Sequence, residues 1–206
     1  MNETEPMVFV VDDDDSVRKA LTRLIQSVGI KVECFASAEA FLLRQRYDGP
    51  CCLILDIRMP GLSGLDLQEK LTKANLTLPI IFITGHGTIP MGIRAMKAGA
   101  IDFLEKPFED QALLELIKHA FEFDRQAKHE HMKKSGILKR FESLTPREQE
   151  ILALTVTGKL NKQIAVELEI SEKTVKIHRA HVMEKMQVES LADLVRVSGV
   201  LPLPKL

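Results

Sequence analysis

Up to about Phe123, five short β-rich runs alternate with amphipathic stretches of helical spacing, and this alternation limits the possible folds more than any other feature of the chain. The runs are MVFVV (7–11), KVECF (31–35), CCLIL (51–55), PIIFI (79–83) and DFLEK (102–106). The stretches between them are 16–28, 37–45, 63–74 and 89–98; each opens near a Ser, Thr or Pro, and several close near a Gly or Asn. Strand, helix, strand repeated in this way predicts a parallel sheet covered by helices on both faces, and near-continuous apolar strands suit such a sheet. A sixth segment from Glu109 carries Leu113, Leu114, Ile117, Ala120 and Phe121 on one face, then turns polar through DRQAKHEHMKK. Loss of the apolar stripe marks a linker, 124–140, expected to continue as an exposed helix. Its Arg125, Lys128, Lys133, Lys134, Lys139 and Arg140, against Asp124 and Glu130, could help approach DNA electrostatically but read first as a solvated helix end.

From Leu144 onward no strand signal remains. Thr145, Pro146 and Glu148 form a T-x-x-E capping box with proline at the first helical position, and Gly158 stops that helix. A second helix fits 162–168, ELEIS makes a turn, Ser171 caps a third helix to about Met186, and Ser190 caps a fourth. Two helices joined by a tight turn within a small helical unit is the helix-turn-helix pattern. The expected domains are therefore 1–123, the linker 124–140, and 141–206.

Composition narrows the functional classes. At 206 residues, 45% hydrophobic and 28% charged, the chain can build two small cores and lacks broadly disordered character. No apolar run approaches the ~20 residues of a bilayer-spanning helix. The first apolar run follows Glu3 and Glu5 without the basic flank of a signal peptide, so a cytoplasmic protein without membrane attachment is expected. Cys34, Cys51 and Cys52 are odd in number and lack metal-ligand spacing, and are read as reduced core residues. A net charge of -1 supplies no global field for nucleic acid, so any such contact must come from a local patch.

In a doubly wound parallel sheet, ligands bind outside the carboxyl ends of the strands. That rule gathers Asp12 and Asp13 after the first strand, Asp56 after the third, Thr84 after the fourth and Lys106 after the fifth. Clustered carboxylates repel unless a cation joins them, and oxygen ligands suit Mg2+. Lysine can offset one charge and hold a phosphoryl oxygen, with the threonine hydroxyl as a neutral donor beside it. A solvated acidic turn would also explain four consecutive aspartates taken alone. An EF-hand loop would not, because its glycine and final glutamate are missing.

With these residues on strand ends, 7–123 resembles the receiver domain of a two-component response regulator. The resemblance implies a flavodoxin-like five-stranded sheet of order 2-1-3-4-5, with Asp56 as phosphoacceptor, Lys106 and Thr84 assisting, and Thr84 and Phe103 as the switch pair. It implies a Mg2+ site made by Asp12, Asp13, Asp56 and the Arg58 backbone carbonyl, and a cis peptide before Pro107. Arg58 and His86, two residues beyond Asp56 and Thr84, would flank the path of attacking water and tune the lifetime of the phosphoryl group. The partner would be a sensor histidine kinase, and the chain a phosphoacceptor rather than an enzyme that turns over. DDDDS also fits the D-x-D start of haloacid-dehalogenase-type phosphatases, with Asp12 as nucleophile and Asp14 as acid. The LDIRMPG context and Lys106 before proline favour the receiver.

The segment from LTPREQE to VMEKM is similar to the helix-turn-helix domain of LuxR-type regulators, and its pairing with this receiver resembles the FixJ branch. By helical spacing, Val175, Val182 and Met186 face inward, and Lys173, Lys176, Ile177 and Ala180 face out. Lysine can reach guanine edges and Ile177 a thymine methyl in a major groove. Thr174 and Arg179 on the flanks, and Asn161 and Lys162 at the start of the supporting helix, suit phosphates. Where some relatives carry a third basic residue this chain has Ala180, so their target sequence does not transfer, and His178 and His181 are further candidate contacts. The resemblance implies double-stranded promoter DNA, RNA polymerase and a homodimer formed on phosphorylation. A phosphorylation-independent DNA-binding protein whose receiver is a dimerisation scaffold is the alternative, and the complete pocket argues against it.

Overall fold

Five strands, β1 (Met7–Val11), β2 (Lys31–Phe35), β3 (Cys51–Asp56), β4 (Ile80–Thr84) and β5 (Asp102–Glu105), pair in parallel in the order β2-β1-β3-β4-β5. The structure, a computed structural model, describes residues 5–85 and 89–203. Alternate side chains leave opposite faces of a strand, so the sheet builds two cores. Phe9, Leu53, Leu55 and Phe82 meet α2 (Ala38–Leu42), α3 (Gly64–Lys73) and α4 (Ile89–Lys97) on one face. Val8, Val10, Ile54, Ile81 and Ile83 meet α1 (Asp15–Ser27) and the first turns of α5 (Asp110–Glu142) on the other. Every residue of β3 and β4 is buried, whereas β2, at the sheet edge, keeps three of its five residues exposed.

That edge position corrects one expectation. Cys34 on β2 is exposed; only Cys51 and Cys52 on the central β3 are core residues. Burial pushes the Cys51 thiol up to about 11 and that of Cys52 well above its ordinary range, so both remain protonated and inert.

The aspartate run divides its labour along the chain. Asp14 is the N-cap of α1, its carboxylate accepting from the Ser16 amide at 2.8 Å, and Asp15 pairs with Arg18 and Lys19 in the first turn, where negative charge is favoured. α2 is shorter than the 37–45 expected. α5 continues without a break from the α/β core through 124–140. Within the first unit, Met1–Lys128, Asp124 on α5 is buried; it accepts from the Cys51 amide at 2.9 Å and from Lys128 Nζ at 2.7 Å, fastening the helix to the start of β3.

The second unit, His129–Leu206, contains α6 (Pro146–Val156), α7 (Asn161–Glu167), α8 (Glu172–Met186) and α9 (Leu191–Ser198). Both halves of the Thr145–Glu148 capping box form, and Gly158, with φ of 84°, ends α6 in a conformation that costs glycine little. Ser171 and Ser190 cap α8 and α9. Phe141, Leu152, Val182, Met186 and Leu194 form one core, and Ile151, Ile164 and Val175 another under the α7–α8 turn. No described helix is long and apolar enough to cross a membrane.

Candidate functional site

The sheet order brings the strand ends together. Lys106 Nζ lies 2.7 Å from Asp12 Oδ2 and 3.0 Å from Asp56 Oδ1, a single ammonium between two buried carboxylates. Each carboxylate turns its second oxygen to a backbone amide: Asp14 N donates to Asp12 Oδ1 at 2.9 Å, and Arg58 N to Asp56 Oδ2 at 2.6 Å. Thr84, almost fully buried at the end of β4, accepts at its carbonyl from Lys106 N at 2.8 Å, which fixes the lysine's strand to its neighbour. The Lys106–Pro107 peptide is cis. Asp13 is exposed at the rim, and so is the side chain of Arg58. Phe103 is half-buried, joins the α3–α4 side of the core and packs beside Gly92 of α4. His86 lies outside the described residues.

The electrostatics leave room for a cation. Burial pushes the Asp56 carboxyl above its ordinary range; Lys106 pulls it down, and the charge of Asp12 adds to the rise. For Lys106 burial acts downward, but its hydrogen bonds to Asp12 and Asp56 prevail and raise its pKa, so it stays an ammonium. Asp12, Asp13 and Asp56 against one lysine leave two negative charges in the cluster. Two of those carboxylates already aim at one point, and an oxygen-only donor set with that residual charge fits a hard divalent ion such as Mg2+.

Three contributors escaped the sequence reading. Arg18 on α1 donates from Nη1 to the Asp12 carbonyl at 2.7 Å and from Nη2 to Asp15 at 3.0 Å, bracing the acidic loop. Glu39 on α2 accepts from the Leu62 amide at 3.1 Å and steadies the loop after Asp56. Gly64, at the start of α3, approaches so closely that a Cβ there would sit 2.2 Å from the Asp56 carbonyl oxygen. A second glycine three residues after Gly61 in MPGLSG was the available signal. The Arg18 contact to the Asp12 carbonyl and the Glu39 contact to the Leu62 amide gave none, because those partners are backbone atoms placed by the fold.

In the second unit α8 presents Lys173, Lys176, Ile177 and Ala180 to solvent on one face, with Val175, Val182 and Met186 buried on the other. Thr174 and Arg179 are half-buried on the flanks, and Lys162 is exposed on α7. Arg179 Nη1 donates to Asn161 Oδ1 at 2.6 Å, so two residues expected to meet phosphate separately are joined across α7 and α8. His178 is half-buried and His181 exposed. Glu148, known from the sequence only as a cap, is 3% exposed and also accepts from Lys185 Nζ at 2.7 Å.

Residues 8–118 match the response regulator receiver domain family, and residues 142–198 match the bacterial regulatory proteins of the luxR family. Nodulation protein W of Bradyrhizobium diazoefficiens is 52% identical over 198 residues, covering 96% of this chain and 87% of that protein. The transcriptional regulatory protein FixJ of Rhizobium meliloti is 43% identical over 195 residues, covering 95% of this chain and 96% of that protein. Among solved structures, the response regulator StyR is 50% identical with a TM-score of 0.84, covering 96% of this chain and 100% of that one. Full-length FixJ from B. japonicum is 41% identical with a TM-score of 0.57, covering 96% and 97%.

Proposed function

We propose, because this chain belongs to the FixJ-type response regulators and is a transcriptional regulator with a receiver and a LuxR-type DNA-binding domain, that a phosphoryl group on Asp56 is its input. The observation that carries this reading is the convergence of Asp12 and Asp56 on Lys106. An oxygen of Asp56 attacks the phosphorus of a phosphohistidine on a sensor histidine kinase, or of a small phosphodonor. The oxygen–phosphorus bond forms as the bond to the leaving group breaks, imidazole from a phosphohistidine or acetate from acetyl phosphate. Asp12, Asp13, Asp56 and the Arg58 carbonyl would hold Mg2+, which when bound neutralises charge on the transferred group. Lys106, an ammonium already within reach of Asp56, pairs with a phosphoryl oxygen, and the Thr84 hydroxyl donates to another. Arg58, with its side chain exposed at the rim, and His86 tune how quickly water reaches the acyl phosphate.

Movement of Thr84 toward the phosphoryl oxygens and of Phe103 into the space it leaves reshapes α4 and β5. α4 exposes Ile89, Ile93 and Met96, at 82%, 50% and 44%. An apolar strip of this kind supports a homodimer through α4 and β5. The dimer places two α8 helices in successive major grooves, half-sites about 10 bp apart. Lys173, Lys176 and Ile177 read base edges beside Ala180, and Thr174, Arg179, Asn161 and Lys162 hold phosphates. Bound at a promoter in the cytoplasm, the dimer acts on RNA polymerase, with activation as the outcome.

Intact mass after incubation with acetyl phosphate and Mg2+ tests the chemistry. The native chain should gain one phosphoryl unit, and Asp56→Ala or addition of EDTA should abolish the gain. Steady release of phosphate that survives Asp56→Ala and fails on Asp12→Ala would instead identify a phosphatase.

A further inference from the structure

Among the described residues one other set of metal-binding side chains converges, and it lies in the second unit. Glu148 on α6 and His178 and His181 on α8 each offer a donor atom within 4.8 Å of the other two. Glu148 uses its oxygens differently. Oε2 accepts from Lys185 Nζ at 2.7 Å and from the Thr145 amide at 2.9 Å, whereas Oε1 faces His181 Nδ1 at 3.6 Å, beyond hydrogen-bonding distance. The Lys185 hydrogen bond, joined by the Thr145 amide, holds the Glu148 carboxyl down to about 2, so it is an ionised ligand at neutral pH. Nδ1 of His178 is buried with no hydrogen-bond partner among the described residues. A buried polar atom in that condition calls for an explanation, and a bound ion is one. His181 is exposed, so its ring is free to swing inward and close the gap to the ~3.3 Å between donors of a tetrahedral zinc site.

We propose that Glu148, His178 and His181 form a site for a divalent transition metal of the Zn2+ class, with two imidazoles and a carboxylate as ligands and one position open. Imidazole donors favour such ions over Mg2+, which separates this site from the strand-end pocket. The metal would join α6 to α8 on a flank of the recognition helix, leaving Lys173, Lys176 and Ile177 uncovered. Lys185 works against the ion, since its ammonium already occupies the carboxylate.

The test is titration of the full-length chain with Zn2+ by calorimetry, in excess Mg2+ to saturate the receiver. The native chain should bind one equivalent. His181→Asn, at an exposed position, should keep its circular dichroism spectrum and weaken binding by roughly tenfold or more. Lys185→Gln should tighten it. Substitution with Co2+ should give the strong visible bands of a four-coordinate nitrogen-containing site. Absence of binding, or equal binding by His181→Asn, overturns the proposal; the latter would place the ion on other histidines such as His119, His129 or His131.

Discussion

Asp56 pairs chemical readiness with a local cost. Burial, with Asp12 adding to it, raises the pKa of Asp56, so the ionised carboxylate is held less favourably in the folded chain than in the unfolded one. For a raised acid, stability is greatest below the unfolded pKa and declines as pH climbs through the folded value, so the ionised carboxylate destabilises the receiver at neutral pH. Asp56→Asn removes that charge and keeps an acceptor for the Arg58 amide. In EDTA at neutral pH it should melt a few degrees above the native receiver by calorimetry. The gap should narrow in acid, where native Asp56 is itself protonated, and in Mg2+, which binds the native carboxylates. A variant less stable than the native chain in EDTA would sink this account.

At the scale of elements, the junctions at the ends of helices hold the functional side chains in place. The first turn of α3 rests on the Asp56 backbone only because Gly64 has no side chain, and Gly64 N donates to the Ile57 carbonyl at 3.0 Å. Gly64→Ala should therefore destabilise the receiver by about 1–3 kcal/mol and slow phosphorylation, measured by urea unfolding and by the rate of the mass shift. The start of α6 depends on Glu148. Its carboxyl, held down to about 2 by Lys185 and the Thr145 amide, gives stability that is present above the ordinary glutamate value, about 4.3, and is lost as pH falls toward 2. With metal chelated, Glu148→Gln should lower the second unit's stability at pH ~7 by about 1 kcal/mol. A difference from native that persists undiminished in acid would show that charge is not the cause. The sequence marked both the end of the apolar stripe in α5 and an exposed helical continuation through 124–140, and the helix runs unbroken to Glu142.

For the whole molecule, the phosphoryl group should change assembly and DNA affinity together. Light scattering should find a dimer only after treatment with acetyl phosphate and Mg2+, and Ile93→Glu should abolish the dimer while leaving the Asp56 adduct intact. Binding to paired half-sites should follow the same pattern, and a dimer that forms equally well with Asp56→Ala would favour the scaffold reading. Legible along the chain are the five-stranded α/β unit, the helix-turn-helix that follows it, and which residue types stand at strand ends and on the outer face of α8. Periodicity, caps and turn residues write those features locally along the chain. The tertiary structure alone decided that Lys106, 94 residues from Asp12 and 50 from Asp56, is shared between them. It also decided that Gly64 lies against the Asp56 carbonyl, that Arg179 holds Asn161, that Lys185 meets Glu148 and that Cys34 is exposed. The physical reason is that each depends on sheet order or helix packing, which bring together atoms whose separation in sequence carries no trace of the contact.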